Sequence, residues 1–290
     1  MRGLLSLLAG IILFSTIEVA AKLMQQGGGM AGQYPFWLAA LRFIIAGLVL
    51  FVPAARALRG KAFDRRDAAA LAGLGLLGVT LMSSLYHLSI TLLPANVAAL
   101  VFSCNPVFVV LFAPLVLSEK ITARKLGAVA LCLTGIAVLA HDRTAGVSPT
   151  GLFLMLVAII IFALYTLLFK KMTPRYGALP VTAFTGLIGG LFILPLAAGV
   201  EGMPLAAYGT ADWIGIAYLA LVGTALGYFL FIDGISRVEA SIGSMAFFFK
   251  PFLAALFAWI VLDEALTISM LVGGAFILGG MVTALLPARR

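Results

Sequence analysis

The chain has 290 residues, of which 63% are hydrophobic and 10% charged, with a mean hydropathy of +1.17 and a formal net charge of +8. So little polar surface cannot coat a soluble globule of this size, which excludes a soluble enzyme or binding domain and makes the chain an integral membrane protein.

A helix needs about 20 mostly apolar residues to cross a hydrocarbon core of about 30 Å. Ten stretches meet that requirement, at 3–24, 36–57, 68–90, 94–117, 123–140, 150–172, 179–200, 212–233, 239–262 and 267–286. Arg2 ahead of an apolar run, with Val19-Ala20-Ala21 resembling a cleavage site, gives span 1 the look of a secretory signal. Cleavage would leave nine spans and strip span 6 of its counterpart, so span 1 is expected to be retained. Span 1 carries Glu18 and, one turn on along the same face, Lys22, while Arg42 in span 2 falls at a similar depth. The three are expected to neutralise one another as an ion-paired outer gate. Glu18 has a second reading as a proton carrier, which two nearby cations oppose by favouring the ionised carboxylate.

Span 3 contributes Tyr86 and, nearer its end, His87, read as a gate element, a ligand contact or, preferably, a satisfied interfacial side chain. Span 4 carries Phe102 and Asn105-Pro106, span 6 Phe162 and Tyr165, and span 9 Phe247, Phe248, Phe249 and Lys250-Pro251. Proline lacks the amide proton and collides with the carbonyl four residues earlier, so Pro106 and Pro251 should each break a helix at mid-membrane depth. Carbonyls freed in hydrocarbon must face protein or a wet cavity. Simple bends for packing are the alternative, but repetition at matched positions favours a cavity between the halves. An ammonium at the bilayer centre is disfavoured by roughly 2.5–3.5 kcal/mol, so Lys250 needs a partner, either a substrate anion or a polar cluster with Asn105. The aromatic rings can sandwich a planar or amphipathic ligand, although most of the phenylalanines must pack against lipid or other helices. The cysteines, Cys104 and Cys132, lie inside spans and read as packed thiols.

If the N-terminus is cytoplasmic, Arg2, Arg237 and the basic clusters at 56–66, 120–125, 170–175 and 289–290 all lie inside, and only Arg143 lies outside. Trp37, Trp213 and Trp259 then fall at the outer boundary, where an indole keeps its ring in the apolar layer. This distribution orients the chain in an inner membrane with both termini cytoplasmic and makes nucleic acid an unsuitable partner.

The second half repeats the first. Shifted by 145 places, Asp67 falls on Asp212, Gly78 on Gly223, Pro106 on Pro251 and Glu119 on Glu264. Domains are therefore expected at 1–145 and 146–290, and five spans in each half force opposite orientations in the bilayer. Gly186 and Gly190, like Gly223 and Gly227, make small-x-x-x-small faces suited to close helix packing. The ten spans, the short loops, and the copies ending in Leu-Ser-Glu119 or Leu-Asp-Glu264 resemble the drug/metabolite transporter superfamily. Within it the paired EamA-type transporters are the nearest pattern, with the YddG-type aromatic amino acid exporters as candidate relatives. The resemblance implies an all-α carrier of ten transmembrane helices in two inverted five-helix repeats, working by alternating access around a cavity lined by spans 1, 3, 4, 6, 8 and 9.

A membrane enzyme would need a nucleophile with its base, paired acids or metal ligands at depth, and no such pattern is present. Neither a cofactor nor a metal is expected. The partners are the lipid bilayer and a small-molecule substrate, first a neutral or aromatic amino acid, with a proton-coupled drug or nucleobase-like metabolite exporter as the alternative. Oligomeric state is left open, a monomer being sufficient.

Overall fold

A computed structural model describes residues 2–27, 29–58, 64–117, 123–141, 146–236 and 249–285. Its apolar helices, in chain order, are α1 (Leu5–Gln26), α2 (Pro35–Ala57), α3 (Arg65–Leu92), α4 (Ala95–Pro114), α5 (Leu126–His141), α6 (Pro149–Tyr176), α7 (Ala178–Glu201), α8 (Thr210–Phe231), α9 (Lys250–Leu262) and α10 (Ile268–Thr283). Seven are long and apolar enough to cross a membrane, and α5, α9 and α10 are shorter. The protein is an all-α membrane protein on a ten-helix plan. Residues 239–248, expected to open span 9, lie outside the described residues, as does Glu119.

The helices pair in a pattern that reveals the architecture. α2 packs on α7, α4 on α9 and α5 on α10, while α1 packs on α8 and α3 on α6. Exchanging each helix with the one five places on maps the first three pairs onto themselves and interchanges the last two. Two five-helix halves related by a pseudo-two-fold exchange make this set of contacts. Small residues let the self-paired helices approach. A Cβ on Gly47 of α2 would lie 2.8 Å from the backbone of Leu187, and one on Gly190 of α7 would lie 3.0 Å from the backbone of Ile44. Without a hydrophobic drive between helices in lipid, such backbone proximity supplies the packing energy.

Four helices, α1, α3, α4 and α8, are irregular. In α1, Ser15 Oγ donates to the Ile11 carbonyl (2.8 Å) and Thr16 Oγ1 to the Leu13 carbonyl (2.7 Å), and the helix is interrupted there before resuming at Ile17. In α4 the first segment ends at Phe102, a turn covers Ser103 and Cys104, and a new helix starts at Asn105. α3 and α8 each contain a π-helical stretch, Leu76–Leu81 and Leu219–Leu226, at corresponding places in the two halves. In the second, Thr224 Oγ1 donates to the Leu219 carbonyl five residues back (2.7 Å), beside the widened backbone. These stretches set Gly78 against the ring of Tyr165 on α6 and Gly223 against Ile17 on α1. Cys104 and Cys132 are free and buried.

Candidate functional site

The breaks place ionisable groups in first turns. Glu18 is the second residue of the resumed α1 helix, where the N-terminal end of the helix dipole favours a carboxylate. Lys250 and Pro251 open α9, and Asn105 and Pro106 open the second segment of α4. Both prolines therefore occupy first turns, where the missing amide proton costs nothing, instead of kinking a continuous helix within the described residues. An ammonium at a helix N-terminus is opposed by the dipole, so Lys250 depends on an anion.

That anion is Glu18. Lys250 Nζ donates to Glu18 Oε1, and the two residues are 2% and 0% exposed. The ammonium also stands 5.0 Å from the centroid of the Phe102 ring, in cation–π geometry. Phe102 continues an aromatic wall, with Tyr86 at 5.1 Å and Phe162 at 5.3 Å between centroids, and Phe162 stacks on Tyr165 at 5.9 Å. A cavity of about 30 Å³ lies among Phe14, Arg42, Ser83, Tyr86, Phe162 and Lys250. A second cavity of about 10 Å³ adjoins it behind Phe43 and Tyr228, walled by Gly78, Tyr165, Thr185 and Thr224. Both are far below the roughly 300 Å³ that encloses a small organic ligand, so the site is closed in this conformation.

Around Glu18 the structure adds a partner to the expected cluster with Lys22 and Arg42, and Arg42 stays within electrostatic reach of the carboxylate. Glu18 turns to Lys250, 232 residues away in sequence. Lys22 instead donates to the Ile90 carbonyl (3.4 Å). Arg42 Nη1 meets His87 Nε2 at 3.1 Å, Arg42 Nε donates to Thr224 Oγ1, and the guanidinium stands 4.9 Å from the Phe43 ring centroid. A guanidinium only donates, so His87 Nε2 is the acceptor in this contact. Glu18 and Lys250 sit in the core and pair directly, whereas Lys22 lies one turn further along the helix and is only half-buried.

Of the residues singled out from sequence, Tyr86, Phe102, Phe162, Tyr165 and Lys250 converge, with His87 one step removed through Arg42. Asn105 is buried with its amide nitrogen unpaired and does not line either cavity. Phe247 and Phe248 lie outside the described residues. Sequence reasoning missed Phe14, Ser83, Thr224 and Tyr228. The available signal was small polar residues and tyrosine within spans 3 and 8, beside Gly78 and Gly223.

Polar contacts tie helices together at both faces of the bundle. On the face opposite the N-terminus, Glu264 accepts from the Ala95 and Asn96 amides (2.8 and 3.0 Å), and Glu201 from the Phe36 and Trp37 amides (2.9 and 3.0 Å). Trp37 Nε1 donates to the Gly202 carbonyl (2.8 Å) at the same level. On the N-terminal face, Arg175 bridges to Asp67 (3.0 Å) and Ser6 Oγ donates to Asp233 (3.0 Å). Among the described residues no group of three His, Cys, Asp or Glu side chains could hold a metal ion.

Comparisons with known proteins agree with this architecture. The model of the EamA-like transporter family matches twice, over residues 1–140 and 149–286. An uncharacterized transporter of Clostridium kluyveri is 27% identical over 97% of this chain and 92% of its own length. A probable terminal-alkyne amino-acid exporter of Streptantibioticus cattleyicolor is 26% identical over 97% and 92%. A solved crystal structure, 20% identical, superposes with a TM-score of 0.66 over 97% of this chain and 96% of that one, which shows a common fold. The double match across almost the whole sequence makes the chain a member of the EamA-like transporter family.

Proposed function

We propose that the protein carries small zwitterionic metabolites, foremost amino acids with an apolar or aromatic side chain, across a bacterial inner membrane by alternating access. The observation that carries this reading is the Glu18–Lys250 pair, buried beside a wall of aromatic rings. A zwitterion can exchange partners with such a pair, its carboxylate moving to Lys250 and its ammonium to Glu18. Charge is balanced before and after, so neither side chain is left bare in a low-dielectric core. Phe102, Tyr86 and Phe162 then supply a surface for a flat apolar side chain. The amino-acid exporter among the relatives supports the same substrate class.

The helix pairing and the polar contacts at both faces support alternating access: release of one set while the other holds would open the site to one side only. The two repeats, 1–145 and 146–290, are the moving bodies, and the termini are cytoplasmic by the distribution of basic residues. Because the pair exchanges with a zwitterion without gaining or losing a proton, the carrier needs no proton coupling. The test is counterflow in proteoliposomes. A labelled aromatic or branched amino acid should exchange with itself, whereas its carboxamide and its N-acetyl derivative should not. Equal exchange of either derivative would overturn zwitterion recognition, and exchange abolished by collapse of the pH gradient would favour the proton-coupled alternative.

A further inference from the structure

Another cavity among the described residues is much larger than the central one. A groove of about 380 Å³ runs between α4, α9 and α10 on the side of α9 that faces away from Lys250. α9 divides its surface cleanly: Lys250, Ala254 and Ala258 are buried toward the core, while Phe252, Leu256 and Trp259 are exposed toward the groove. The opposite wall is Met270, Leu271, Gly274 and Leu278 of α10. Along α9 the groove reaches from Pro251 to beyond Trp259, and with the following residues to Leu266 it covers roughly the half of a 30 Å hydrocarbon core that adjoins the face opposite the N-terminus.

One polar residue lines this otherwise apolar channel. Asn96, in the first turn of α4, is 3% exposed. Its Oδ1 accepts from the Val97 amide (2.7 Å), and its Nδ2 has no partner. The nearby carboxylate of Glu264 is engaged by the Ala95 and Asn96 backbone amides. A buried amide donor left unpaired in hydrocarbon is costly, and it needs an acceptor that arrives with apolar surface attached. An ester-linked glycerophospholipid has that shape. Its ester carbonyl, an acceptor without a proton, sits where the headgroup layer meets hydrocarbon, and its chain runs from there toward the midplane.

We propose that this groove is a specific site for one acyl chain of an ester-linked phospholipid, the Asn96 side chain turning into the groove so that its Nδ2 donates to the ester carbonyl. The site is separate from the transport cavity and does not rest on the substrate assigned to it. Trp259 reports on it directly. A variant with Trp37→Phe and Trp213→Phe, leaving Trp259 as the sole indole, is placed in bilayers of ether-linked phosphatidylethanolamine. Chain-brominated phosphatidylethanolamine is then added, either ester- or ether-linked. Ester lipid should quench Trp259 at a mole fraction several-fold lower than its ether analogue, and Asn96→Leu should erase the difference. Equal quenching by the two linkages, or a preference that survives Asn96→Leu, overturns the proposal, as does quenching lost on concentration-dependent dimerisation through this face. Native mass spectrometry of the wild-type protein gives a second measurement: one ester lipid should be retained against ether competitor, and its loss should accompany Asn96→Leu.

Discussion

At the scale of single residues, the Glu18–Lys250 pair decides most of what the core can do. Two buried ions stabilise only in company, since removal of one leaves the other uncompensated in a medium that cannot solvate it. Glu18→Gln or Lys250→Met alone should therefore cost about 3–5 kcal/mol, read as a fall in the thermal unfolding midpoint in detergent. The double variant should regain most of that midpoint and still fail to exchange amino acids. Recovery of stability and transport together would show the pair to be structural only. His87 is expected to matter less than Arg42: His87→Gln keeps an acceptor for the guanidinium, so exchange should fall by less than with Arg42→Leu, which removes the donor to both His87 and Thr224.

Individual elements are shaped by interruptions of the helical ladder. Gly78 permits the π-helical stretch of α3 to rest on the ring of Tyr165, and a Cβ there would overlap the ring. Gly78→Ala should destabilise by about 1–3 kcal/mol, and a smaller side chain at Tyr165 should restore part of the loss, measured as thermal unfolding of the single and paired variants. The first turn of α4 depends on Glu264, whose carboxylate satisfies two of its free amides from the loop that follows α9. Glu264→Ala should loosen the face opposite the N-terminus. In a background with Cys104→Ala and Cys132→Ala, a probe cysteine replacing buried Leu93 should then react several-fold faster with an impermeant maleimide applied to that face. An unchanged rate would mean that other contacts hold the closure.

For the whole molecule, the two halves share one pattern of helix pairing while their side chains differ. The pairs α2–α7, α4–α9 and α5–α10 map onto themselves under the exchange, yet they carry residues that differ between the halves: Arg42 stands on α2, Phe102 on α4 and Lys250 on α9. Membrane orientation is testable at the same scale. Reporter fusions at each terminus should both read as cytoplasmic, and a reporter after Arg143 should read as external. Termini on opposite sides would contradict the inversion.

Membrane class, ten spans and the duplicated pattern were legible in the sequence because each depends on one-dimensional quantities: hydropathy over a span length, and recurrence of residue types at a constant offset. The need of Lys250 for a partner was legible for the same reason, since a cation at mid-span is anomalous wherever it points. Partner choice was not. Glu18 has Lys22 one turn away and Lys250 on a distant helix, and only the packing of α9 against α1 decides that the distant ammonium is the buried one. The break at Ser15–Thr16, the π-helical stretches and the closed cavity likewise come from tertiary contacts, because a locally unfavourable backbone persists only where neighbouring helices satisfy the groups it frees.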